Sequence, residues 1–255
     1  MSDYQRDGVT VLRNVFGPVP ADEIDGLFQL RLAISDALEL RSPMASTILT
    51  DEGGMFWQDF NTWRKNIWIE SLAKRLAPIV AEATGNQTLR LHHDHVIVKT
   101  GMSPETPWHQ DRPYYVVQGD NNFTIWMSPD DVPAEEGLQF IRGSHLTGKM
   151  YVPVNFKDGT PMAGDMEVLD NIWPGDESSY DLERGDAVIF DNRIIHKANR
   201  SANPVPRSSL SIRYLGDGAT LTTNCVNPTP PYPSMGMPVV DGAPVDERWF
   251  PKVYG

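Results

Sequence analysis

From Thr88 to Leu215 the chain breaks into short β-prone runs separated by Gly, Pro, Asn and Asp, with no helical pattern between them. Runs too short for a helix and bounded by turn residues read as strands. They lie at 88–99, 107–117, 122–127, 137–141, 150–154, 166–169, 181–183, 187–190, 194–198 and 208–215. Many short strands without intervening helices cannot build a parallel βαβ sheet, so an antiparallel sandwich or barrel is expected.

The segment ahead of this core has a different character. Gly8-Val9-Thr10-Val11-Leu12 is a β-prone entry element. Pro20-Ala21-Asp22-Glu23 offers helix-starting chemistry, and Ile24, Leu27, Phe28, Leu30, Ile34 and Leu38 follow at helical spacing. A second helix is expected from Trp68, kinked or broken near Pro78 and capped by Gly85. Between the helices, residues 42–62 contain Pro43, Gly53-Gly54, Phe56, Trp57 and Phe60 and read as a loop able to close over a site. Without repeats or a low-complexity linker, 1–255 reads as one domain: a helical N-terminal region (residues 1–87), a barrel core (88–215) and a proline- and aromatic-rich wrap (216–255).

Composition excludes several classes of function. The net charge of −12 disfavours nucleic acid and anionic membranes, both of which need a basic patch. No window approaches the roughly 18 apolar residues of a membrane span. Met1-Ser2-Asp3-Tyr4-Gln5-Arg6-Asp7 lacks the form of a signal peptide, so a cytoplasmic location is expected. A single cysteine, Cys225, allows neither an internal disulfide nor a thiolate zinc site and reads as a packing residue.

Chemistry concentrates at Trp108-His109-Gln110-Asp111. On a strand, residues i and i+2 share a face, which would aim the imidazole of His109 and the carboxylate of Asp111 at one point. The best third ligand is His196, which ends the apolar run begun by Gly185-Asp186. Two histidines and a carboxylate form the facial triad of non-haem Fe(II) oxygenases, which leaves three positions on the metal open. The run His92-His93-Asp94-His95 permits a rival: a cupin-type site built from His93, His95 and His109 that needs no cosubstrate. A non-enzymatic ligand-binding barrel is a third reading.

These motifs, in order, resemble the phytanoyl-CoA dioxygenase family of Fe(II)/2-oxoglutarate oxygenases. The resemblance also rests on Val98-Lys99-Thr100-Gly101, Thr124-Ile125-Trp126, Glu136-Gly137-Leu138 through Gly143-Ser144-His145, and Pro206-Arg207-Ser208-Ser209. It implies a double-stranded β-helix, a jelly-roll or cupin-like barrel flanked by helices, with Fe(II) on His109, Asp111 and His196. It also implies 2-oxoglutarate and O₂ as cosubstrates, with Arg207 as partner of the distal carboxylate and Trp126, His95 and Ser209 in contact with it. Arginine suits that task because its planar fork binds a carboxylate bidentately. Arg213 is expected in a surface or sheet-pairing role, His92 and His93 in solvent or packing roles, and His145 in a turn. Halogenating relatives replace the carboxylate with a small residue, so Asp111 points to hydroxylation. The expected substrate is a small molecule touching Trp57 and Tyr115; no basic cluster suits the phosphates of coenzyme A.

Overall fold

The computed structural model describes residues 2–17, 25–169, 176–200 and 205–255. Helix α1 (Asp3–Asp7) leads into β1 (Val9–Leu12). Helix α2 (Gly26–Leu40) is capped by the Asp25 side chain, which accepts from Phe28 N–H; the helix-starting residues Pro20 to Ile24 lie outside the described residues. Strands β2 (Ser46–Leu49) and β3 (Met55–Phe60) precede α3 (Ile67–Thr84). Then come β4 (Leu89–Thr100), β5 (Thr106–His109), β6 (Val117–Gln118), β7 (Asn122–Met127), β8 (Leu138–Ile141) and β9 (Glu177–Ser179). The series ends with β10 (Ala187–Asp191), β11 (His196–Ala198), β12 (Arg207–Leu215), β13 (Thr220–Leu221) and β14 (Lys252–Tyr254).

All pairings between these strands are antiparallel. The main sheet runs β1-β10-β7-β12-β4-β3-β2, with β14 also on β4, and a smaller sheet runs β5-β11-β8-β9. Consecutive strands from β4 to β12 alternate between the sheets, apart from short additions, which makes the architecture a double-stranded β-helix. The outer face of the main sheet carries Leu91, Val96, Ile125, Leu210 and Ile212, and packs on Leu30, Ile34, Leu72 and Leu76 of the two long helices. Its inner face, freed from that core, is available to a cavity between the sheets.

Several expectations need correction. Residues 42–62 are largely a β-hairpin, not a loop: Met55 to Phe60 pair with β4 from Thr100 to His95 and extend the main sheet. Among the described residues, the N-terminal region therefore supplies strands β1, β2 and β3 as well as helices. Of the expected strands, 107–117 is broken by a 3₁₀ turn, while 150–154, 166–169 and 181–183 hold only isolated bridges. Helix α3 runs without a break through Pro78, which lies on its exposed side. Gly85 caps the helix with φ 80°. The tail is ordered against the barrel: Tyr232 and Phe250 are fully buried, and the Tyr232 hydroxyl donates to His92 O at 2.6 Å. Among the described residues no helix is long and apolar enough to cross a membrane.

Asp94 ties this layer together by accepting from Thr62 Oγ1 at 2.6 Å and Trp63 N at 2.8 Å. Burial pushes its carboxyl up to about 6 in spite of these bonds. The folded state thus holds the proton more tightly than the unfolded chain, whose aspartates titrate near about 3.9. Its stabilising contribution is complete below that value and is lost as pH rises through about 6. Asp94→Asn is expected to gain about 2–3 kcal/mol relative to wild type between pH 4 and 7, measured by urea unfolding at both pH values.

Candidate active site

His109 closes β5, His196 opens β11, and the two face each other directly across the ladder. Their ring centroids are 4.2 Å apart. His109 Nδ1 lies 2.8 Å from Pro107 O and His196 Nδ1 lies 3.1 Å from Ile194 O. A carbonyl can only accept, so each Nδ1 carries the hydrogen and each Nε2 presents a lone pair. Asp111 Oδ1 stands 3.5 Å from one Nε2 and 3.9 Å from the other. All three ligand atoms lie within 4.8 Å of one another, which fits one shared ion. Two imidazoles and one carboxylate are the donor set of the Fe(II) facial triad.

Asp111 does not reach this point through strand alternation. β5 ends at His109, and Asp111 has helical backbone angles (φ −71°, ψ −38°) at the start of the 3₁₀ turn Arg112–Tyr114. The turn, not the pleat, swings the carboxylate under the histidines.

Arg213 is the main correction to the sequence reading. It is 6% exposed, and its Nε and Nη2 each lie 3.3 Å from Asp111 Oδ2. Nε also donates to the Tyr115 hydroxyl, and Thr124 Oγ1 donates to Oδ2 at 3.4 Å. With Oδ2 engaged, Oδ1 is left for the metal. Burial would raise the Asp111 pKa, but the Arg213 charge beside it outweighs that and holds the carboxyl well below the ordinary range. Burial, then His109, brings His196 down to about 3, so it is neutral and able to ligate at physiological pH. The signal for Arg213 was present in the sequence: Arg207, Ser209, Ser211 and Arg213 alternate along one strand and all line the cavity.

At the other end of β12, Arg207 pairs in register with Lys99 of β4. Its Nη1 donates to Glu136 O, while Lys99 Nζ donates to Asn199 O at 3.2 Å. Burial, reinforced by Arg207, lowers Lys99 to about 7. Two cations and the Ser209 hydroxyl therefore converge on one end of the cavity. Trp126 and His95 also line it, flanking Ser211 across the sheet.

The cavity measures about 270 Å³. Tyr115 lines it, with its hydroxyl committed to Arg213. Trp57 does not: alternation along β3 turns Gln58 and Phe60 inward and Trp57 to the helix-packed core. Phe156 and Met162, on a segment with no regular periodicity, cover the mouth instead; the Phe156 ring lies 4.8 Å from that of His109. His93 and His95 line the cavity but form no metal-sized group with His109 among the described residues, contrary to the cupin reading. His92 and His93 are fully buried, which rules out solvent roles, and His145 sits in a 3₁₀ turn as expected.

Arg213→Met strands a buried carboxylate and is expected to cost about 3–5 kcal/mol of unfolding free energy in urea melts. Arg207→Met is expected to cost less, because its partner Glu136 is partly exposed.

Residues 4–209 match the phytanoyl-CoA dioxygenase family profile. No curated protein matches the sequence. Among solved structures, the epimerase SnoN in complex with Fe³⁺, α-ketoglutarate and nogalamycin RO is similar, with TM-score 0.74 and 22% identity over 98% of this chain and 96% of SnoN. The carbocyclase SnoK from nogalamycin biosynthesis follows at TM-score 0.73 and 18% identity, covering 98% and 93%. EctD from S. alaskensis gives TM-score 0.64 and 18% identity, covering 88% and 79%. At such identities the neighbours establish the fold, while the family match, over most of the chain, and the metal-sized triad carry the rest. The chain belongs to the phytanoyl-CoA dioxygenase family and is an iron- and 2-oxoglutarate-dependent oxygenase.

Proposed function

We propose that this oxygenase hydroxylates a small, largely apolar molecule that is not an acyl-CoA, in the cytoplasm. The observation that carries the proposal is the converging His109, Asp111 and His196 atoms at the floor of a cavity whose far end holds Arg207 and Lys99. His109, Asp111 and His196 would hold Fe(II), which with 2-oxoglutarate and O₂ would supply the oxidising power, succinate and CO₂ being the co-products.

The protein's own residues supply binding, orientation and exclusion of water. Arg207, Lys99 and Ser209 hold the distal carboxylate of the cosubstrate; Lys99, poised near neutrality, takes up its proton as that negative charge arrives. Trp126 and His95, which line the cavity between the metal ligands and Arg207, would wall the cosubstrate and limit its orientations. Arg213 keeps Asp111 ionised and directs one oxygen to the metal. The Asp111 carboxylate takes the position a halide would need, which favours transfer of oxygen to substrate. Phe60, Phe156, Met162 and Ile48 give an apolar wall, and Tyr115 reaches the same space. Among the described cavity residues only Lys157 stands as an exposed cation at the mouth, too little for the phosphates of coenzyme A.

Anaerobic Fe(II) with 2-oxoglutarate is expected to give a weak visible charge-transfer band that His196→Ala abolishes. Its survival in His196→Ala with loss in His93→Ala would move the metal to the other histidines and overturn the assignment. Arg207→Ala is expected to weaken 2-oxoglutarate by tens to thousands of fold, on the order of 2–5 kcal/mol for a largely desolvated charge pair, read by titrating the band. A metabolite screen scored by succinate release then checks the outcome: hydroxylation adds one oxygen to the product mass, whereas epimerisation leaves it unchanged.

A further inference from the structure

Strand β4 carries a bulge opposite β12. Arg213 pairs with His93, but the next residue, Tyr214, pairs with Leu91, so His92 is left over. The extra residue lets two consecutive histidines turn to the inner side of the strand. His92 is enclosed by Tyr115, Tyr232 and Phe250, with centroids at 4.9, 5.8 and 5.4 Å. His93 packs edge-on against His92 and Tyr115 at 4.3 and 5.1 Å and faces the cavity.

His93 is 1% exposed, and neither of its ring nitrogens has a hydrogen-bond partner among the described residues. Nη1 of Arg213, its register partner, is also buried and has no partner among the described residues, although the rest of that guanidinium holds Asp111 and Tyr115. Buried polar groups in folded proteins are nearly always paired, so these atoms point to a ligand. The cosubstrate is not that ligand. Arg207 and Lys99 lie six residues from Arg213 and His93 along paired strands, about 20 Å at the rise of a strand. A dicarboxylate reaching from the metal ligands to Arg207 runs away from His93.

This deepens the oxygenase reading and rests on it: we propose that His93 and Arg213 Nη1 form the polar anchor of the substrate subsite and take a neutral oxygen group, an alcohol or a ketone, of an otherwise apolar molecule. Nη1–H and the imidazole N–H donate to the oxygen lone pairs, and the second imidazole nitrogen accepts the proton of an alcohol. Burial, then His92 and Arg213, keeps His93 neutral, so it offers both a donor and an acceptor. A cation is opposed by the Arg213 charge and a carboxylate by the charge of Asp111. Gln58, whose amide oxygen accepts from His95 Nε2 at 3.1 Å, and Phe60, stacked on His95 at 3.9 Å, fix the neighbouring wall.

The test uses Zn(II) and 2-oxoglutarate on the full chain, which hold the site without turnover, and matched probes: benzyl alcohol, acetophenone, toluene, benzoate and benzylammonium. Affinities come from ligand-observed NMR on wild type, His93→Phe and His93→Gln, after Zn(II) and 2-oxoglutarate binding is measured on each sample. Failure of wild type to bind these two would sink the oxygenase reading itself. With that binding intact, benzyl alcohol and acetophenone are expected to bind tighter than toluene, and His93→Phe to weaken them by about tenfold without affecting toluene. His93→Gln, which keeps a donor and an acceptor, is expected to restore most of the loss. The ¹⁵N shifts of the His93 ring are expected to move when benzyl alcohol is added. The proposal is overturned by any of four results: equal losses for toluene; unmoved His93 shifts, the mark of a ring held only by an ordered water; tightest binding by benzoate or benzylammonium; or loss of Zn(II) from His93→Phe alone.

Discussion

A carboxylate 4% exposed between two imidazoles needs compensating charge to stay ionised, and within the protein itself Arg213 supplies it. The pair joins the end of the smaller sheet to the central strand of the larger one. Two sequence segments 102 residues apart are thereby held in one register. Tyr115 and Thr124 complete the arrangement, so the metal-binding oxygen is selected by what the other oxygen already does.

Much of this was legible in the sequence because strand periodicity and turn residues are local signals. The short runs after Thr88, the histidine pair 109 and 196, and the alternation from Arg207 are all such signals. The hairpin at 46–60 was not legible, since both faces of β3 are covered and its polar and apolar residues do not alternate. Arg213 was misplaced because an arginine on a strand ordinarily faces water, and its partner is visible only in three dimensions. The parity change at His92 and His93 is likewise invisible in one dimension, since a bulge is defined by what the neighbouring strand omits.

The two sides of the main sheet divide the labour. The helix-packed side is dense and apolar, carrying Leu91, Val96, Leu210 and Ile212 at full burial. That rigidity lets the inner side carry charges and unpaired polar atoms that would otherwise destabilise a strand. The mouth is different: Phe156 and Met162 come from a stretch anchored by isolated bridges and a few backbone bonds, so sequence there can change without disturbing the metal ligands.

Because Arg207 and Arg213 stand on one uninterrupted strand, β12 acts as a ruler. One mark holds the Asp111 carboxylate and the other sets a largely buried cation at the far end of the cavity, with the interval between their backbones set by strand rise. A molecule that must touch both marks is therefore measured by the backbone before any chemistry begins.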